Sequence, residues 1–216
     1  MNYRFAGEYE NQVRAEARLL VIVPLSLMII FLLLYGQFRS IARAMVVFSG
    51  IFLAWSGGFL LLWCFNQPWF LDFSVAGVDF QQVFQVHPIN LSVAVWVGFL
   101  ALFGIATDDG VLMTTYLAQQ FEENRPQDVK TIRAAVIAGA AKRIRPAMMT
   151  TATTILALLP VVTSVGRGSD VIVPMALPTV GGMTVAILTV ITVPTLFCWI
   201  EEFKQQKSQK QQKTKL

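Results

Sequence analysis

Gly104-Ile-Ala-Thr-Asp-Asp-Gly-Val-Leu-Met113 sets two adjacent carboxylates, Asp108 and Asp109, near the middle of an apolar run from about Ile89 to about Ala118. A helix of about thirty residues is about 45 Å long, more than a hydrocarbon core of about 30 Å. Ionisable groups at that depth are costly, and they usually face a bundle interior or a watery cavity on an ion or proton path. Neighbouring helical positions lie about 100° apart, so the two Asp cannot both reach one partner. Asp108 shares a face with Ala101, Gly104 and Leu112, and the small residues there favour close approach of another helix. Asp108 is therefore the expected buried group, with Asp109 pointing sideways. The competing reading is a solvated break at Asp109-Gly110. No proline interrupts the segment and apolar residues continue on both sides, which counts against it.

The rest of the composition agrees with a membrane protein: 55% of the 216 residues are hydrophobic and only 14% are charged. The expected class is an all-α membrane protein, with no nucleic-acid partner and the lipid bilayer as its solvent. The first apolar run, Leu19 to Leu34, follows Glu8, Glu10 and Glu16 and precedes no small-residue cleavage site, so it reads as a retained helix and not a signal peptide. Cys64 and Cys198 form no CxxC pair and read as small hydrophobes.

Outward from the central run, residues 1–17 form a polar lead-in, expected to be periplasmic. Leu19 to Tyr35 makes the first span, with Pro24 in its early turns, and Ala44 to Phe65 makes the second. Trp63 and Trp69 suit an interfacial belt. The loop from Asn66 to Pro88 has Asp72 and Asp79 and no Lys or Arg; "FSVAGVDF" within it reads as a short hairpin around Gly77. After the Asp-bearing third span, Phe121 to Arg145 carries Arg125, Lys130, Arg133, Lys142, Arg143 and Arg145, and belongs inside. Val129, Ile132, Val136 and Ala140 recur there at helical spacing, which predicts an amphipathic helix lying along the cytoplasmic surface. Met148 to Val165 is the fourth span, rich in threonine, and Val173 to Trp199 the fifth, kinked by its prolines. The five-helix domain then covers residues 18–200. The Lys- and Gln-rich residues 201–216 read as a disordered basic cytoplasmic tail. Thirteen of the seventeen Lys and Arg fall on one side, which predicts a periplasmic N-terminus and a cytoplasmic C-terminus. Translocating an N-terminus that carries Arg4, Arg14 and Arg18 is unusual for an independent protein and natural in the second half of a longer transporter.

The motifs "GEYENQVRAEARL", "GIATDDGVLMTTYL", "RIRPAMMTT" and "PTVGGMTVAILTVITVPTLF" together resemble the final five membrane helices of a resistance-nodulation-division (RND) efflux permease, in its heavy-metal-efflux branch. The resemblance covers nearly the whole chain. It implies a proton antiporter of the bacterial inner membrane, not an enzyme, typically a homotrimer. Its partners would be the N-terminal half and periplasmic domains of the permease, a periplasmic adaptor and an outer-membrane channel. It also implies that Asp108 occupies the ionisable relay position, that Thr150 matches the relay Thr, and that Arg143 matches the Arg at the proton exit. No cofactor or resident metal is implied. Two departures stand out. Ala147 occupies a position where the metal branch often carries Lys, so that Asp109 takes part in its place, and the Asn66 to His87 loop is longer than the family's usual turn.

Met113, Met148, Met149, Met175 and Met183 could offer thioether ligands to a soft cation, although Met is also ordinary core filler. His87 lacks a second His. An intramembrane aspartyl hydrolase is disfavoured, because a shared-proton dyad needs carboxylates about 3 Å apart and adjacent helical Asp diverge. A self-contained five-helix scaffold or assembly subunit without transport activity is the remaining alternative.

Overall fold

The structure is a computed structural model that describes residues 3–75, 77–124 and 129–214. Helices α1 (Tyr3–Phe38) and α2 (Ile41–Phe65) lead to a hairpin of two-residue strands, β1 (Ser74–Val75) and β2 (Val78–Asp79), and a single turn, α3 (Phe80–Val83). Then come α4 (Val93–Asn124), α5 (Val129–Val162), α6 (Ser169–Ala186) and α7 (Thr189–Thr214). Among the described residues five stretches are long and apolar enough to cross a membrane: Ala17–Phe38, Ile41–Phe65, Val93–Phe121, Thr131–Val162 and Ser169–Ala186. The protein is an all-α membrane protein with five such helices.

Backbone contact between α2, α4 and α6 organises the bundle. A Cβ on Gly57 would stand 2.6 Å from the Gly181 carbonyl oxygen, and one on Gly98 would run into the Met175 carbonyl. Only glycine permits these approaches, and in lipid it is such packing, not exclusion of water, that holds helices together. Around the seam Phe99, Leu102, Phe103, Leu177 and Met183 are fully buried. The Thr179 hydroxyl donates to the Gly98 carbonyl, 3.3 Å away, across α6 and α4.

Toward the basic end a second cluster gathers Val46, Met113, Leu117, Val136, Val193 and Phe197. Here the structure departs from the sequence reading of the amphipathic segment. That segment is helical, but it is the first half of α5, continuous with the fourth span. Its apolar residues Ile132 and Val136 are buried against the rest of the protein. The helix continues through Pro146, which has no N–H for the Lys142 carbonyl, and one turn on the Thr150 and Thr151 hydroxyls donate to the Pro146 and Ala147 carbonyls.

The fifth span is interrupted rather than bent. Between α6 and α7 the ladder tightens to three-residue steps at Ile187 and Leu188, with Val190 N donating to Ile187 O and Ile191 N to Leu188 O. Pro194 has no N–H for the Val190 carbonyl, and the β-branched run from Thr189 to Val193 weakens the turn before it. α7 then runs as helix to Thr214, where a disordered tail was expected; Gln and Lys are good helix formers. α1 likewise extends upstream through the polar lead-in to Tyr3.

The loop between α2 and α4 is ordered by its own contacts. Val75 pairs with Val78 around Gly77, whose φ is +82°, as the expected hairpin requires. Asp79 caps α3 by accepting from Gln81 N, and the Asn66 side chain accepts from Ile89 N, tying the loop's two ends.

Candidate functional site: a polar cavity between α4, α5 and α7

The bulky residues of α4 decide which way its carboxylates point. Val95, Phe99, Leu102, Phe103, Ala106, Met113 and Leu117 form the buried stripe. Gly110 lies on it, where a Cβ would press 2.9 Å from Val47 Cγ1 of α2. One position back, Asp109 turns toward α5 and α7 and is half-buried. Two positions back, Asp108 falls on the outer face with Ala101, Gly104 and Leu112 and is exposed. The expectation that Asp108 is the buried carboxylate is thus corrected: Asp109 enters the bundle. The small residues that suggested a packed face line one that is left exposed among the described residues.

Asp109 opens into a cavity of about 160 Å³ lined by Gly110, Leu112 and Met113 of α4, Arg143, Pro146, Ala147 and Thr150 of α5, and Thr189, Val190 and Val193 of α7. The structure therefore brings together three of the residues singled out in the sequence, Asp109, Arg143 and Thr150, and leaves Asp108 beside them on the other side of α4. Arg143 shares the cavity without closing an ion pair on Asp109 among the described residues. The Thr150 hydroxyl donates to Pro146 O at 3.1 Å, which leaves its oxygen able to accept from the cavity. Ala147 lines the cavity with a methyl group only, so no lysine supplies a second cation. Such a site can hold and pass a proton: it has one ionisable acid, a hydroxyl that both donates and accepts, and a fixed guanidinium charge.

Thr189 is a lining residue that the sequence reading did not single out. It is buried and its hydroxyl donates to Ala186 O at the break between α6 and α7. Its signal lay in the β-branched run before Pro194, which marks where the helix gives way. The methionines do not form a ligand set: Met183 sits in the central cluster, Met113 in the basic-end cluster, and Met149 points outward. His87 is exposed, its Nδ1 against the Gln85 carbonyl. No group of three or more His, Cys, Asp or Glu gathers among the described residues.

Comparison with known proteins shows what the chain is similar to. The chain is 34% identical over 212 residues to the cation efflux system protein CusA of Escherichia coli (strain K12), covering 94% of this chain and 18% of that protein. It is 31% identical over 194 residues to the cobalt-zinc-cadmium resistance protein CzcA of Cupriavidus metallidurans, covering 89% of this chain and 16% of the relative. An X-ray crystal structure of a heavy metal efflux pump superposes with a TM-score of 0.69 at 32% identity, over 90% of this chain and 16% of that one. The chain thus spans less than a fifth of the length of these relatives. The family model described as AcrB/AcrD/AcrF matches residues 1–201, and the chain belongs to that family.

Proposed function

We propose that this chain forms the C-terminal membrane half of a proton-driven RND permease that exports metal ions or other cations, and that it does not transport alone. The observation that carries this reading is the division of labour on α4. Asp109 enters the cavity with Arg143 and Thr150, while Asp108, one residue away, stands on the face left uncovered. A first membrane half packed on that face would enclose Asp108. The two carboxylates would then give a proton stations on both sides of one helix, with Arg143 toward the basic end. Cation efflux is named for the relative CusA, and cobalt, zinc and cadmium resistance for CzcA.

The proposed setting is the bacterial inner membrane, with the N-terminus periplasmic and the basic C-terminal end cytoplasmic. The assembly is a homotrimer that meets a periplasmic adaptor and an outer-membrane channel. A proton moving down the membrane potential releases about 2.3 kcal/mol per 100 mV, and that energy drives export only when protonation changes access to a substrate site. The cavity here, about 160 Å³ and bounded by one acid, is a proton station and not a cation site.

The test uses the complete permease and the isolated chain, each reconstituted in vesicles with an imposed pH gradient and assayed for Zn²⁺ and Cd²⁺ flux. Asp108→Asn is expected to abolish gradient-driven flux in the complete permease, and Asp109→Asn to reduce it less, with normal expression of both. The isolated chain is expected to give no flux. Gradient-dependent flux by the isolated chain that disappears in Asp108→Asn would overturn the claim that these helices need a partner half. Full activity in the complete permease with both Asp replaced would overturn the proton path.

A further inference from the structure

The exposed side of α2 is a single stripe. From the second turn on its exposed residues are Met45, Phe52, Ser56, Leu60 and Trp63, which at about 100° per residue fall within an arc of about 80°. The Ser56 hydroxyl donates to the Leu53 carbonyl of its own helix, so the stripe needs no polar partner. On a helix long and apolar enough to span, such a stripe faces lipid. Trp63 is its last member, three residues before the polar Asn66. Trp69 of the following loop continues it: the two rings meet edge to face at 6.3 Å, and both are more than half exposed.

The loop is pinned where it stands. Phe70, Phe84 and Val86 pack onto the central cluster. Gln81 Nε2 donates to the Pro68 and Phe70 carbonyls at 2.8 and 3.0 Å, and Gln85 Nε2 reaches Ser164 O, just past α5, at 2.7 Å. Leu71 and Gln85 take φ of +55° and +46°, conformations that non-glycine residues adopt when their surroundings impose them. Phe73 stacks on Phe80 at 4.8 Å, and Phe80 lies 6.2 Å from Phe84, so a line of rings runs from the cluster out to the exposed Phe73. A loop tied at both arms cannot fold back to hide Trp69 and Phe73.

In water these rings would form an apolar patch with no cover, whereas tryptophan is favoured at the headgroup level, where its ring is covered and its N–H meets an acceptor. Asn66 to Pro88 has no Lys or Arg, so attraction to anionic headgroups does not hold the loop there. We propose that residues 66–73 lie in the headgroup layer at this end of the bundle, with Trp69 and Phe73 seated among phospholipids, so that the loop sets the depth of α2 instead of standing in water. Asp72, exposed between them, can reach the water above the layer. Neither the proton path nor the substrate of the permease enters into this assignment.

The test takes the full chain, labelled with fluorotryptophan, in phosphatidylcholine nanodiscs and reads fluorine relaxation by NMR. Replacing Trp63, Trp69 and Trp55 by Phe one at a time assigns their signals, and all measurements are then made on the unsubstituted chain, so no folding defect enters them. Relaxation is compared with a nitroxide on the lipid near its headgroup, with one at the acyl-chain end, and with a gadolinium chelate in the water. Trp63 and Trp69 should both relax about fivefold faster with the headgroup nitroxide than with the chain-end one. Trp55, packed edge to face against Phe103 between α2 and α4, should be sheltered from the chelate. A Trp69 signal that answers to the chelate alone, while Trp63 answers to lipid, would overturn the proposal and put the loop in water. A Trp69 signal silent to every probe would overturn it too, with protein as the cover.

Discussion

The helices of this protein divide into two kinds. In α2, α4 and α6 the share of the most apolar stretch buried within the bundle is 44%, 39% and 56%; in α1 and α5 it is 6% each. The first three touch through glycine backbones and hold most of the fully buried side chains, whereas the other two present Leu20, Leu33, Ile137 and Met149 outward. The polar cavity lies across this divide. Asp109 belongs to the buried trio, while Arg143 and Thr150 belong to a helix that is largely exposed. The difference teaches that the acid sits on a helix packed into the bundle, and that its partners sit on one whose opposite face is left open.

The largest effect that would break the comparison is expected from Gly181→Val. Its Cβ would meet the Gly57 carbonyl at 2.6 Å and Leu61 Cβ at 2.5 Å, and a backbone oxygen cannot give way. A loss of about 3 kcal/mol is expected, read as a lower thermal midpoint and aggregation in size-exclusion chromatography. Leu33→Ala, on an α1 position 69% exposed, should stay within about 0.5 kcal/mol. Equal losses would mean that α1 is held as tightly as the trio.

An intermediate effect sharpens the reading of α5. Ile132 is 1% exposed and Ile137, five residues on, is 69% exposed. Ile132→Ala should cost about 2 kcal/mol by leaving a cavity, and Ile137→Ala almost nothing, in the same melt. If both were silent, the first half of α5 would lie on the membrane surface after all.

The smallest effect concerns the tie between α5 and α7, where Arg133 Nε donates to Glu202 at 2.6 Å. That hydrogen bond, with the guanidinium charge behind it, holds the Glu202 carboxyl below its ordinary range. A lowered folded-state value means that the tie contributes fully above the ordinary carboxylate pKa and is lost as pH falls through the folded value. Glu202→Gln should therefore lower the thermal midpoint by about 1–2 °C at neutral pH, and the difference should vanish in acid.

Much of this was readable in the residues. Long apolar runs announced five membrane helices because a bilayer demands length and hydrophobicity before anything else. Three of the cavity's polar residues were also found in advance. The face of α4 was not, because the angle between Asp108 and Asp109 follows from helix geometry alone, while the absolute direction depends on which stripe the neighbours fill. Ala101 and Gly104 looked like a packing face, but Phe99, Phe103 and Met113 were the ones covered. The break at Ile187–Leu188 was placed only as a kink, since proline shows that a ladder is interrupted and tertiary contacts choose the turn that yields. The continuity of α5 through Pro146 was not readable either, since a proline shows that one ladder bond is lost and not that the helix ends there.

Glu201 and Glu202 are consecutive on α7, yet the first reaches Arg43 of α2 and the second Arg133 of α5. Their divergence means that α7 cannot twist about its own axis without stretching one tether as it slackens the other. At its far end the same rod is jointed to α6 at Ile187–Leu188, beside Thr189, Val190 and Val193 of the cavity wall. α7 is in effect a lever pinned near its middle. A small tilt about the pin swings the jointed end through an arc, and the wall facing Asp109 travels with it.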